Sequence, residues 1–206
     1  MKKIAKEDGF GKVSLFPSKK FAAPKKVVPG MFYYADGLIF PELIKDNQVS
    51  AIVGCVDRNH GLALGLREAV LPWSSDWLYV DIPTKLSGKE ATSLILKAAK
   101  KVRKNAEAAE WCAEYTFDGI KAGTGFMPSK EELKHIFGNR KTLRESFALL
   151  NSGGLSGNCL QENAFYWSSS EDYGGSAWFV RPSDGFMYDY YKYYSHRVRC
   201  AVEFKI

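Results

Sequence analysis

The chain has 206 residues, 46% of them hydrophobic and 25% charged, which excludes wholesale disorder and fits one large domain, or one domain with an extension. The formal net charge is +6, but the lysines are spread along the N-terminal segment and one helix; a solvated charged face is the simpler reading, and nucleic-acid binding is disfavoured. No stretch approaches the ~18 apolar residues of a membrane-spanning helix. The start MKKIAKEDGF has no apolar run behind its lysines and does not read as a secretory leader. The expected location is therefore the cytoplasm or a phage particle, or the cell surface if a leader was trimmed.

In chain order, residues 1–48 read as an N-terminal extension and 49–206 as one ligand-binding domain. Residues 1–30, rich in Lys, Pro and Gly, form an arm expected to dock onto the domain, a second copy or a larger particle. MFYYADGLIF (31–40) places Ala-Asp-Gly between two β-prone runs, a hairpin signal. The two apolar runs at 49–66 flank Asp57-Arg58-Asn59-His60-Gly61, which predicts a second hairpin with His60 in its turn. Residues 87–115 read as one long helix. Ala91, Leu94, Ile95, Ala98, Val102, Ala106, Ala109 and Cys112 recur at spacings of three and four, and Lys97, Lys100, Lys101, Arg103 and Lys104 form the opposite face. Ser129 with Glu132 is a capping box that opens a second helix. A third helix over 140–150 stops at Asn151-Ser152-Gly153-Gly154. Then come short β-prone runs, AFYWSSS, SAWFV and GFMYDYY, and a final run RVRCAVEF. Val198, Cys200, Val202 and Phe204 alternate there with Arg197, Arg199, Ala201 and Glu203, predicting one half-buried strand. Segregated elements of this kind indicate an α+β fold.

No nucleophile elbow, phosphate loop, zinc-helix motif or dinucleotide fingerprint is present, so no catalytic residue, metal ligand or cofactor is expected. Cys55, Cys112, Cys159 and Cys200 match no zinc spacing and read as free thiols with apolar neighbours. What remains is a binding surface. Seven of the eleven tyrosines lie between Tyr166 and Tyr194, mixed with Ser, Gly and Asp. Tyrosine offers a large rigid contact area together with a hydroxyl that donates and accepts.

The run F-Y-W-S-S-S-E, followed by A-W-F-V, S-D-G-F-M and R-V-R-C-A-V-E-F, resembles the C-terminal part of the bacterial major-paralogous surface domains, a C-type-lectin-fold family. The variable proteins of diversity-generating retroelements use a related fold. Upstream, G-F-M-P-S-K-E-E-L, V-D-R-N-H-G-L-A-L and A-A-E-W-C are similar to that family too, so the resemblance covers roughly residues 30–206. It implies a C-type-lectin-like fold with a long helix, shorter helices and a small antiparallel sheet of C-terminal strands.

In the retroelement proteins, as the resemblance implies, adenines of Asn-type codons mutate, and Tyr, Asp, Ser, Gly, His, Phe and Arg are reachable from them. Those residues stand here at Asp172, Tyr173, Gly174, Gly175, Ser176, Phe179, Arg181, Tyr188, Asp189, Tyr190, Tyr191, Tyr193, Tyr194, Ser195 and His196. The unreachable residues Trp167, Glu171, Trp178, Met187 and Lys192 stand between them as a fixed frame. The implied function is a hypervariable, tyrosine-rich surface for a protein or glycan ligand on another cell or a phage target, with homo-oligomers allowed. The calcium motifs of sugar-binding C-type lectins and the paired cysteines of formylglycine-generating enzymes are absent from the sequence. The alternative is a structural or adhesin subunit of a cell-surface or phage appendage.

Overall fold

The computed structural model describes residues 24–173 and 175–206. The predicted arm lies outside the described residues up to residue 23, as does Gly174. Among the described residues the fold is mixed α+β, with two five-stranded sheets and four α-helices.

The central sheet contains β1 (Phe32–Tyr34), β2 (Ile39–Phe40), β3 (Val49–Asp57), β4 (His60–Gly65) and, from the chain's other end, β10 (Ala201–Lys205), in the order β10-β4-β3-β1-β2. Both predicted hairpins form, with Phe32 opposite Phe40 and Asp57 opposite His60; the second turn is Arg58-Asn59 alone, and His60, expected in it, opens β4 instead. Because β1 also pairs with β3, with Phe32 opposite Ile52, the boundary drawn at residue 48 falls inside this sheet.

Both faces of the central sheet are buried. Ala51, Val53, Ala63, Val202 and Phe204 pack on one side with Ile95 and Ala99 of α1 (Gly88–Val102) and Cys112 of α2 (Glu107–Ala113). On the other side Ile52, Leu62, Leu64 and Ala201 meet Leu133, Ile136 and Phe137 of α3 (Lys130–Gly138), with Leu143, Phe147 and Leu150 of α4 (Arg140–Ser152).

The expected single helix over 87–115 is two. Arg103 takes the left-handed conformation (φ 54°) and closes α1, its N–H bonding to the Ala99 carbonyl. No glycine or proline announces the break. Instead the link is held from outside, where the Asn105 N–H donates to Asp76 at 2.8 Å and the Ser74 hydroxyl to the Asn105 carbonyl at 2.6 Å. Ala106 and Ala109 still reach the core, so the spacing looked continuous; Leu94 and Val102, assigned to the same stripe, are exposed. The capping box at Ser129 forms as predicted, and Glu132 reaches further. Its carboxylate accepts from the Gly88 N–H at 3.0 Å as well as from Ser129, tying the starts of α1 and α3 together.

The second sheet contains β5 (Ala69–Pro72), β6 (Tyr166–Glu171), β7 (Ser176–Val180), β8 (Met187–Tyr191) and β9 (Ser195–Val198), ordered β5-β9-β6-β7-β8. It is larger than a sheet of C-terminal strands alone, since β5 pairs with β9, and β6 and β9 meet in parallel. RVRCAVEF is therefore not one strand. Its first part lies in β9, its second in β10, and the chain changes sheet at Arg199-Cys200. The alternation is real, with Val198, Cys200, Val202 and Phe204 in one core cluster, but the other face is not open. Arg199 is fully buried. Its guanidinium donates to Glu68 at 2.5 Å, to the Asn158 carbonyl at 2.6 Å and to the Gly65 carbonyl at 3.1 Å. Arg197 pairs with the same carboxylate, which also accepts from the Tyr166 hydroxyl at 2.8 Å.

Candidate functional site: an aromatic ridge

Strand β8 is the edge of the second sheet, and its alternation decides where each ring goes. Tyr188 and Tyr190 sit opposite Phe179 and Ala177 of β7, on the face that carries Phe179 and Trp167. Asp189 and Tyr191 sit on the other face, opposite Trp178 and Ser176. The β8–β9 turn then presents Tyr193 and Tyr194.

The rings touch one another in sequence. Phe186 stacks on Tyr188 (6.2 Å between centroids), and Tyr188 meets Phe179 (6.3 Å). Phe179 meets Tyr190 (6.1 Å), Tyr190 meets Tyr194 (4.9 Å) and Tyr194 meets Tyr193 (4.6 Å). Tyr193 stacks on Tyr191 (5.7 Å, 12° between planes), and both reach Trp77. The result is a ridge from Phe186 to Trp77 whose members, Phe179 apart, are all solvent-exposed. Trp77 and its neighbour Tyr79 were not among the residues predicted from sequence. The signal was there: three aromatics in the seven-residue run Trp73-Ser-Ser-Asp-Trp77-Leu-Tyr79, more than a plain Ser- and Asp-rich loop carries, in a stretch too polar for a strand.

The predicted surface residues divide by position. Tyr173, Tyr188, Tyr190, Tyr191, Tyr193, Tyr194 and Ser195 are exposed. Asp172, Arg181, Asp189 and His196 are half-buried. Gly175, Ser176 and Phe179 are buried and offer no side chain to a ligand from that position. Ser176 serves the β6–β7 turn, its hydroxyl donating to the Tyr173 carbonyl at 3.1 Å. Arg181 serves the β7–β8 turn through a two-pronged bond to Asp184 (3.0 and 2.6 Å), which holds that carboxyl down at about 2.

His196 fills an aromatic box made by Phe165, Trp167, Phe179 and Tyr190. Its Nε2 has no hydrogen-bond partner among the described residues, and burial pushes its pKa down.

Beneath the ridge, Glu171 and Lys192 form a buried ion pair. Lys192 also donates to the Leu78 carbonyl at 2.6 Å and lies 4.3 Å from the centre of the Trp73 ring. Glu171 accepts from the Val80 N–H at 2.9 Å and the Ile82 N–H at 3.2 Å. Desolvation lowers the Lys192 pKa, and the Glu171 carboxylate opposes that shift. The only lysine inside the tyrosine run is thus unavailable to a ligand. Trp167 is buried as well, and Trp178 and Met187 are half-buried.

Cys112 and Cys200 are buried free thiols whose pKa burial raises, Cys200 to about 12; Cys55 and Cys159 are half-buried and also free. Among the described residues, no group of three or more His, Cys, Asp or Glu side chains is placed to hold a metal ion, and no helix is long and apolar enough to cross a membrane.

No family model matches the chain, and no curated protein sequence matches it. Among solved structures, the fold is similar to that of a fimbrial protein from Bacteroides ovatus ATCC 8483. The TM-score is 0.67 at 17% sequence identity, over 86% of this chain and 49% of the fimbrial protein. The chain thus spans about half the length of that protein, and the likeness is one of fold.

Proposed function

We propose that the chain is an adhesin-type component of a surface appendage and that the aromatic ridge is its contact surface. The observation that carries this reading is that the exposed rings pack on one another, at the edge of a sheet, over a buried frame. Exposed aromatics gathered in this way are what contact surfaces use as anchors. The fold likeness to a fimbrial protein fits it. The burial of Lys192 speaks against a nucleic-acid partner, since no cation of the tyrosine run is left to meet phosphates. The partner is a protein or a glycan, and the role is binding rather than catalysis.

The test uses the full chain, labelled, against bacterial and epithelial cells in flow cytometry. Replacing Tyr190, Tyr191 and Tyr193 together by Ala is expected to lower binding at least ~10-fold, as loss of anchor residues does. The melting temperature should stay within about 4 °C, because the rings touch each other more than the core. Unchanged cell binding, or a collapse of stability, overturns the reading.

One observation favours a finer version, a C-type-lectin-like scaffold diversified by a retroelement. Glu171, Lys192 and Trp167, unreachable from Asn-type codons, are buried, whereas six of the reachable tyrosines (Tyr173, Tyr188, Tyr190, Tyr191, Tyr193 and Tyr194) are exposed. Buried Ser176 and Phe179 fit that division less well. The neighbouring DNA decides it: a near-copy of codons 165–200 with adenines at the tyrosine positions, beside a reverse transcriptase gene, is expected, and its absence removes the diversification.

A further inference from the structure

The loop between β5 and α1 is built to hold one ring outward. Trp77 has φ 47° and Asp81 φ 60°, left-handed conformations that a bulky residue seldom adopts. The strain is held by fixed partners. Lys104 donates to the Trp77 carbonyl at 3.0 Å, Lys192 to the Leu78 carbonyl, and Glu171 takes the N–H groups of Val80 and Ile82. Leu78 is buried between two residues that are more than half exposed, Trp77 at 57% and Tyr79 at 59%. The indole rests on Gly175, where a Cβ would lie 2.9 Å from the ring. A strained backbone that keeps a tryptophan more than half exposed, among other surface rings, adds little to the core, so its use lies outside.

Trp77, Tyr79, Tyr173 and Gly175 together line an open cleft of about 330 Å³ at the end of the ridge. We propose that this cleft is a saccharide subsite, which takes one pyranose ring of a neutral glycan against the faces of Trp77, Tyr79 and Tyr173. The proposal rests on reading the ridge as a contact surface and names the ligand class at one end of it.

The chemistry argues for a sugar on three grounds. A volume near 330 Å³ lies at the small end of ligand sites, and four lining residues fall far short of the ~20 that a protein interface uses on each side. Every side chain that lines the cleft is aromatic; aromatic rings take the C–H face of a pyranose, and tyrosine hydroxyls can donate to and accept from its hydroxyl groups. No charged side chain lines the cleft among the described residues, and Asp81 stands beside the Tyr79 hydroxyl, raising its pKa and disfavouring an acidic sugar.

The experiment offers the full chain to an array of immobilised oligosaccharides, including β-linked glucose and N-acetylglucosamine tetramers beside sialylated and sulfated chains. The retained glycans are then titrated by tryptophan fluorescence. Neutral glycans are expected to be retained. Trp77→Ala should weaken the binding about tenfold or more, as should Tyr173→Ala, which at 93% exposure cannot disturb folding. A preference for acidic glycans, or neutral binding that both variants leave intact, overturns the subsite. Retention of no glycan by a chain that still binds cells through the ridge tyrosines overturns the subsite and leaves the contact surface standing. Failure to bind either overturns both.

Discussion

Replacing Lys192 by Met tests the frame beneath the ridge. The side chain is 1% exposed, and its ammonium meets Glu171, the Leu78 carbonyl and the face of Trp73. Methionine fills most of the volume but leaves the Glu171 carboxylate buried with only the Val80 and Ile82 N–H groups as partners. Removing one partner of a buried pair costs about 3–5 kcal/mol. In a domain of this length that corresponds to a fall in melting temperature of about 6–20 °C. The double variant Lys192→Met with Glu171→Gln removes the lone charge. Its amide oxygen still accepts from the loop and its NH₂ can replace the ammonium at the Leu78 carbonyl, so it should recover more than half of the loss. Thermal and urea unfolding of both variants check this. A single variant within about 2 °C of the wild type, or a double variant no better than the single, refutes the account of the pair as a charge-coupled support.

Three further outcomes are expected. Glu132→Ala removes the acceptor shared by the starts of α1 and α3 and should cost about 1–2 kcal/mol in urea unfolding. Glu68→Gln leaves buried Arg199 without a carboxylate and should cost about 3–5 kcal/mol, with a transition that remains cooperative. His196 is held below its ordinary value of 6.5, so the unfolded chain takes up its proton first. That stability is present above about pH 6.5 and falls as the pH drops through the depressed value. His196→Phe should therefore flatten the fall in melting temperature between about pH 7 and pH 5 relative to the wild type.

The hairpins, the capping box at Ser129 and the late strands were legible because each is written in local chemistry: turn residues between β-formers, an oxygen three residues before a carboxylate. The break at Arg103 was not, because its cause lies in Asp76 and Ser74, distant in sequence. Arg199 misled for a related reason. A charged residue in an alternating strand reads as solvent-facing, and only the fold supplies Glu68 and the carbonyls of Gly65 and Asn158 that allow its burial. The tyrosine surface was visible in composition, yet Phe179 and Ser176 are buried, because they lie on β7, inside the sheet, where Phe165, Trp167 and His196 cover Phe179, while the exposed tyrosines lie on the edge strand and its turn. Trp77 was overlooked because its part in the ridge arises when a loop about a hundred residues upstream folds back against Tyr191 and Tyr193.

The passage of the chain between sheets at Arg199-Cys200 has a mechanical consequence. Two links join the sheets side by side, residues 66–68 from β4 to β5 and residues 199–200 from β9 to β10, and the strands they connect are paired on both sides of the crossing. A single link would act as a hinge. Here the Gly65 N–H donates to the Cys200 carbonyl at 2.9 Å, and Arg199 bolts both links together through Gly65 and Glu68. Swivelling either strap would break the hydrogen bonds it shares with the other, so bending at the crossing is opposed by both links at once. A pull applied at the tyrosine edge would pass through this braced crossing into the central sheet.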